Sequence, residues 1–176
     1  MASSFLDALA TDLVLSVAQL ERHHGICEME ARSLGVRAFA VAVSKTQSST
    51  HHDKHRFVVL KGKRAPNNGG RVRHITGVAE MRYLLGAAHD TWVSEAGKQR
   101  VKSKPDATWT TPKGVIAIEY DAGCYDPRRI VDKLMSFEAG YASQIWGTPS
   151  KDRVGRIKEL ARSIVPDLEV HYAPWF

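Results

Sequence analysis

Pro105-Asp106-Ala107-Thr108-Trp109, followed by Gly114-Val115-Ile116-Ala117-Ile118-Glu119-Tyr120-Asp121, is the stretch on which the reading of this chain turns. The second segment is apolar and rich in β-branched residues up to Ile118, then ends in two acids, which reads as a strand carrying charge at its end. Residues two apart in a strand share a face, so Glu119 and Asp121 are expected to project together, away from Ile116, Ile118 and Tyr120. A hairpin between the segments sets Asp106 beside them. Three converging carboxylates repel one another unless a cation lies between them, and hard oxygen ligands of this kind favour Mg²⁺ or Mn²⁺. The plainer alternatives are that Asp106 caps a turn after Pro105 and that Glu119 and Asp121 form an exposed strand end.

Working outward, Asp126 precedes Pro127, and Gly140 closes the pattern, so a helix is expected over 127–140. Strands at Gln144–Gly147 and Leu168–Tyr172 flank a helix at Lys151–Ser163. Upstream, Val78, Met81, Leu85 and Ala88 line one face of a helix over 75–88, and Thr91–Ser94 reads as a strand. This order predicts a mixed α/β (α+β) unit over residues 75–176. Residues 1–74 read differently: a helix over 4–23, a short helix over Cys27–Leu34, a turn at Gly35 and a third helix over Val36–Lys45. Strands at Arg56–Leu60 and Arg71–His74 then surround a Pro/Asn/Gly loop. That succession predicts a winged helix-turn-helix unit, with Gly69-Gly70 at the wing tip.

The chain has 176 residues, 43% of them hydrophobic and 25% charged. Such a composition predicts a folded protein and argues against a disordered one. Two cysteines, Cys27 and Cys124, lie far apart, which excludes a Cys-rich zinc module and points to a reducing, cytoplasmic setting. No apolar run is long enough to cross a membrane. The formal charge is +6, with basic residues dense between Arg37 and Lys104, so a polyanion is the first partner to consider. A basic surface that only confers solubility is the alternative.

Pro-Asp on one strand and an acid pair on the next resemble the PD-(D/E)xK nuclease superfamily. More narrowly, several stretches together are similar to bacterial replication-relaxation proteins, a plasmid-associated group. These are His74 with Glu80 and Arg82, Trp92 with Glu95, Pro105-Asp106-Ala107, the run Ile118 to Gly123, Asp132-Lys133-Leu134 and the run Ile145 to Arg153. The resemblance implies a winged helix joined to a restriction-endonuclease-like mixed sheet flanked by helices. It also implies Mg²⁺- or Mn²⁺-dependent hydrolysis of phosphodiester bonds in plasmid or phage DNA. Asp106 and Glu119 would ligate the metal, with Asp121 and Glu95 assisting. Where the superfamily pattern has lysine two residues after the glutamate, this chain has Asp121, and Lys133 on the following helix is the replacement the resemblance suggests. The missing lysine favours a second possibility, a DNA-binding protein of replication or transcription control that has lost the chemistry.

For DNA contact the candidates are Arg37, Ser44 and Lys45 on or beside the third helix, and Lys61, Lys63, Arg64, Arg71 and Arg73 around the wing. That third helix is nearly all apolar, so a core helix or a homodimer face is the competing reading. Glu80 is expected at the surface. His51, His52 and His55 have no fixed further ligand, and Cys124 has no activating neighbour in the sequence, so neither a zinc site nor a thiol nucleophile is expected.

Overall fold

The computed structural model describes residues 2–44, 52–94 and 104–176. Its elements are α1 (Ala2–Asp12), β1 (Leu15–Ser16), α2 (Val17–His24), α3 (Glu28–Ser33), β2 (Val36–Val43), β3 (Asp53–Leu60) and α4 (Gly69–Leu84). They continue with β4 (Trp92–Ser94), β5 (Ala107–Thr111), β6 (Gly114–Tyr120), α5 (Pro127–Gly140), β7 (Ser143–Thr148), α6 (Lys151–Ala161) and β8 (Glu169–Tyr172). The fold is mixed α and β, with two sheets among the described residues. No helix among the described residues is long and apolar enough to cross a membrane.

Three expectations for the first half are corrected. The helix expected over Val36–Lys45 is the strand β2, paired antiparallel with β3 from Val36↔Leu60 to Val43↔Asp53. Its alanines, Ala38, Ala40 and Ala42, fall on one side of the pleat and Phe39, Val41 and Val43 on the other, a period of two that an Ala-rich run disguises as helix. Phe39 and Val41 then pack on the central core. The strand expected at Arg71–His74 is the first turns of α4, because Asn68 caps that helix, its side chain accepting from the Arg71 N–H at 3.1 Å. Gly69-Gly70 therefore open a helix and form no wing tip. The single helix expected over 4–23 is broken after Asp12. Leu13 takes a left-handed φ of 68°, and Ser16 restarts the chain as α2 with a capping box to Gln19.

The small sheet has the order β1-β3-β2. The larger has the order β4-β5-β6-β7-β8, antiparallel from β4 to β6 and parallel from β6 to β8. Parallel neighbours need crossovers, and α5 and α6 supply them. One face of this sheet buries Ala117, Trp146 and Val170 against Ile130, Leu134 and Phe137 of α5 and Ile157 of α6. The opposite face buries Ile118, Tyr120 and Ile145 against Val78 and Met81 of α4.

The seat of α4 is unusually close. A Cβ on Gly77 would lie 2.0 Å from the Tyr120 ring, and one on Gly147 would lie 2.1 Å from the Met81 sulfur. Two bare glycines, one on the helix and one on the sheet, let α4 sink onto β6 and β7. The same helix turns Ala79 and Tyr83 to the core under the small sheet. Residue 74, where the expected first unit ends, lies within α4, and that helix packs against both sheets. The C-terminal residues complete the tie: Trp175 packs 5.7 Å from Phe57 of β3, and its carbonyl accepts from Ser16 Oγ at 2.6 Å.

Candidate active site

The carboxylates gather where β5 begins and β6 ends. Ala107 pairs with Ile118, and the Asp106 N–H donates to the Ile118 carbonyl at 2.9 Å, so the next step of the ladder sets Asp106 across from Glu119. Asp106 Oδ2 accepts from the Tyr120 N–H at 2.8 Å, while Oδ1 lies 2.8 Å from His74 Nε2. Glu119 is fully buried, and its Oε1 lies 2.8 Å from Lys133 Nζ and accepts from the Tyr125 hydroxyl at 2.7 Å. Its other oxygen, Oε2, is buried and has no hydrogen-bond partner. Lys133 also donates to the Lys104 carbonyl at 3.1 Å.

This crowding sets the protonation of the site. Burial, reinforced by the Asp106 charge, pushes Glu119 up to about 7 against the opposing pull of Lys133 and Tyr125. Burial also acts to raise Asp106, but the His74 ring, Lys133 and the Tyr120 N–H outweigh it and hold that carboxyl below the usual range. The His74 imidazole is raised: burial works against its charge, and Asp106 and Glu119 overcome that. Tyr125 is raised by burial and by the two nearby carboxylates, so its hydroxyl stays a donor to Glu119.

Asp121 is built into something else. Its Oδ1 accepts from the N–H groups of Gly123, Cys124 and Tyr125 at 2.9, 3.1 and 3.3 Å. Its Oδ2 accepts from Arg153 Nε at 2.7 Å and faces a second guanidinium nitrogen at 2.6 Å. Arg153 also donates to the Tyr125 carbonyl. The strand proper ends at Tyr120, so the alternation that was to aim Asp121 beside Glu119 stops one residue short.

The structure thus brings together Asp106, Glu119 and Lys133, and holds Asp121 apart in a closed hub. Glu95 and Lys45 lie outside the described residues, as does His51. Two hard oxygen donors, one with an open buried oxygen, suit a divalent cation. Among the described residues there is no group of three His, Cys, Asp or Glu side chains arranged to hold one. Of the expected DNA contacts, Arg37, Lys61, Lys63, Arg64 and Arg71 are exposed. Ser44 and Arg73 are buried against each other, with an Arg73 nitrogen 2.8 Å from Ser44 Oγ, which removes both from the surface a phosphate reaches. Glu80 is corrected: it is buried, bonded to Gln19 at 2.9 Å, Arg22 at 3.2 Å and His23 at 3.1 Å.

His74, Tyr125 and Arg153 were missed as site residues. The strand expected over Arg71–His74 hides His74, which stands one turn after Arg71 on what is a helix. Arg153 reaches Asp121 from α6, and no local pattern announces that. Comparison with protein-family models, curated proteins and solved structures finds no match.

Proposed function

We propose that this chain is a DNA-binding protein that hydrolyses phosphodiester bonds with Mg²⁺ or Mn²⁺, acting in plasmid or phage DNA processing. The observation that carries the reading is Glu119, buried opposite Asp106 with one oxygen on Lys133 and the other open. The finer fold reading rests on element order. A helix, three strands linked antiparallel, a crossover helix and a parallel strand support the PD-(D/E)xK architecture. Helix, strand, helix, helix, strand, strand in the first sheet supports a winged-helix unit, with α3 in the place of its second helix-turn-helix element.

Asp106 and Glu119 would hold the metal, which when bound lowers the pKa of water and stabilises charge on a phosphoryl oxygen. The remaining roles belong to the chain itself. Lys133 delivers a buried ammonium group to the same carboxylate, where it orients the attacking water or offsets charge on the phosphate. Tyr125 fixes the Glu119 rotamer through its hydroxyl. His74 orients the Asp106 carboxylate through its ring nitrogen. The Asp121–Arg153 pair braces the 121–125 loop that carries Tyr125.

A second reading has its own observation: each carboxylate already faces a protein cation, Asp106 with His74, Glu119 with Lys133 and Asp121 with Arg153. Such self-neutralisation suits a nuclease-like fold that only binds DNA, in replication or transcription control. Supercoiled and linear DNA incubated with Mg²⁺, Mn²⁺ or EDTA tests the choice, with Asp106→Ala alongside. Metal-dependent nicking lost in the variant supports the enzyme. Salt-sensitive binding without nicking, unchanged by the variant, supports the binding protein.

A further inference from the structure

Helices α4 and α5, which bring His74 and Lys133 to the Asp106–Glu119 pair, each also present an arginine one turn nearer the N-terminus. On α4, Arg71 precedes His74 by three residues; on α5, Arg129 precedes Lys133 by four. In a helix these spacings place side chains on one face. The two helices cover opposite faces of the large sheet, so the two arginines stand on opposite sides of it, each on the helix that reaches one of the two carboxylates.

Both arginines are exposed and each lines a cleft. Arg71 lies in one of about 580 Å³ with Arg64, Asn67 and Asn68. Arg129 lies in one of about 310 Å³ with Arg128 and Lys133, and with Asp126 and Asp132 at its sides. Arg129 is held in place: its guanidinium sits 4.0 Å from the centre of the Tyr125 ring, and that residue's hydroxyl bonds Glu119. Among the described residues neither Arg71 nor Arg129 forms a salt bridge. A planar cation fixed by stacking, with its donors unspent, is well prepared for a phosphate.

The geometry points to Arg71 and Arg129 as paired phosphate clamps that grip one DNA strand on either side of the Asp106–Glu119 site and position the phosphodiester between them. This assignment rests on the reading of the protein as DNA-binding. Both are positioning residues, and Arg129 belongs to no surface that the sequence singled out.

The test is duplex-DNA affinity against salt concentration in EDTA, where no cleavage intervenes, for the intact chain, Arg71→Ala, Arg129→Ala, the double variant and Lys113→Ala. Lys113 is exposed in the hairpin turn at the far end of the sheet and serves as the remote control. Each clamp variant is expected to flatten the slope of log affinity on log salt by about 0.7–0.9, and the double variant by about twice that. Lys113→Ala leaves the slope unchanged, and Arg129→Lys, which keeps the charge, restores it. An unaltered slope in Arg129→Ala, or an equal change in Lys113→Ala, overturns the assignment. A parallel nicking assay with Mg²⁺ separates the two ideas. Flattened slopes without nicking by the intact chain keep the clamps and discard hydrolysis, while nicking with unaltered slopes does the reverse.

Discussion

At the end of β6, Glu119 and Asp121 are both fully buried and each faces a cation from a helix on the same side of the sheet, yet their surroundings differ in one respect. Asp121 spends both oxygens, on three N–H groups and Arg153. Glu119 spends one. A saturated buried carboxylate is a structural joint whose attraction to its partners offsets the desolvation it suffered. A buried carboxylate with an open oxygen has borne that desolvation without full return, and burial leaves its pKa raised to about 7. Glu80 takes Gln19, Arg22 and His23 all on Oε2, and these partners outweigh burial and hold its carboxyl below the usual range, the opposite of Glu119. Incomplete satisfaction, more than acidity or burial, is what separates a candidate ligand from a joint.

The sharpest way to break this comparison is Lys133→Met. If Glu119 belongs to a working site, metal-dependent nicking is expected to fall about 10²–10³-fold, the loss typical of removing one charge-stabilising donor. Gel assays of plasmid nicking read this directly. Arg153→Met asks the opposite question of the joint. It strands Asp121 beside buried surface and is expected to cost on the order of 3 kcal/mol in urea unfolding, with the metal dependence of the folded fraction retained.

Glu119→Gln sharpens the contrast through pH. Because the folded pKa of Glu119 is raised, ionising it opposes folding, and that penalty grows as pH rises from the ordinary carboxylate value through about 7. The glutamine variant is therefore expected to gain on the order of 1–3 kcal/mol relative to the intact chain at pH 8 and to lose that advantage near pH 4. Thermal melts across that range test it. By the same sign, nicking by the intact chain is expected to rise through pH 7 as Glu119 ionises. His74→Gln is the mildest change: an amide can still donate to Asp106, so DNA affinity in EDTA is expected to hold within about twofold, a change worth roughly 0.4 kcal/mol.

Much of the site half was legible because local chemistry and global fold agree there. Asp126, Pro127 and Gly140 mark α5, and the apolar run before Glu119 marks β6. The stripe of Ile130, Leu134 and Phe137 places Lys133 at the edge of the buried face. The first half is less legible. Alanine satisfies a helical template as readily as a pleated one, and only pairing with β3 decides the matter for Val36–Val43. Asn68 stands in a Pro/Asn/Gly stretch that reads as a loop, and only the helix it caps shows its role. Glu80 and Asp121 could not be read correctly from spacing, since the side chains that answer them come from α2 and α6, remote in the chain.

Helix α4, roughly 24 Å of rod at 1.5 Å per residue, lies buried along most of its length with one sheet on either flank. Any opening that exposes its backbone must first part both cores, so its amides are expected to be among the last to exchange with deuterated solvent. His74 and Arg71 ride on that rod. The two halves of the molecule are then expected to melt as a single cooperative unit, with α4 as the element that joins the small sheet to the carboxylates.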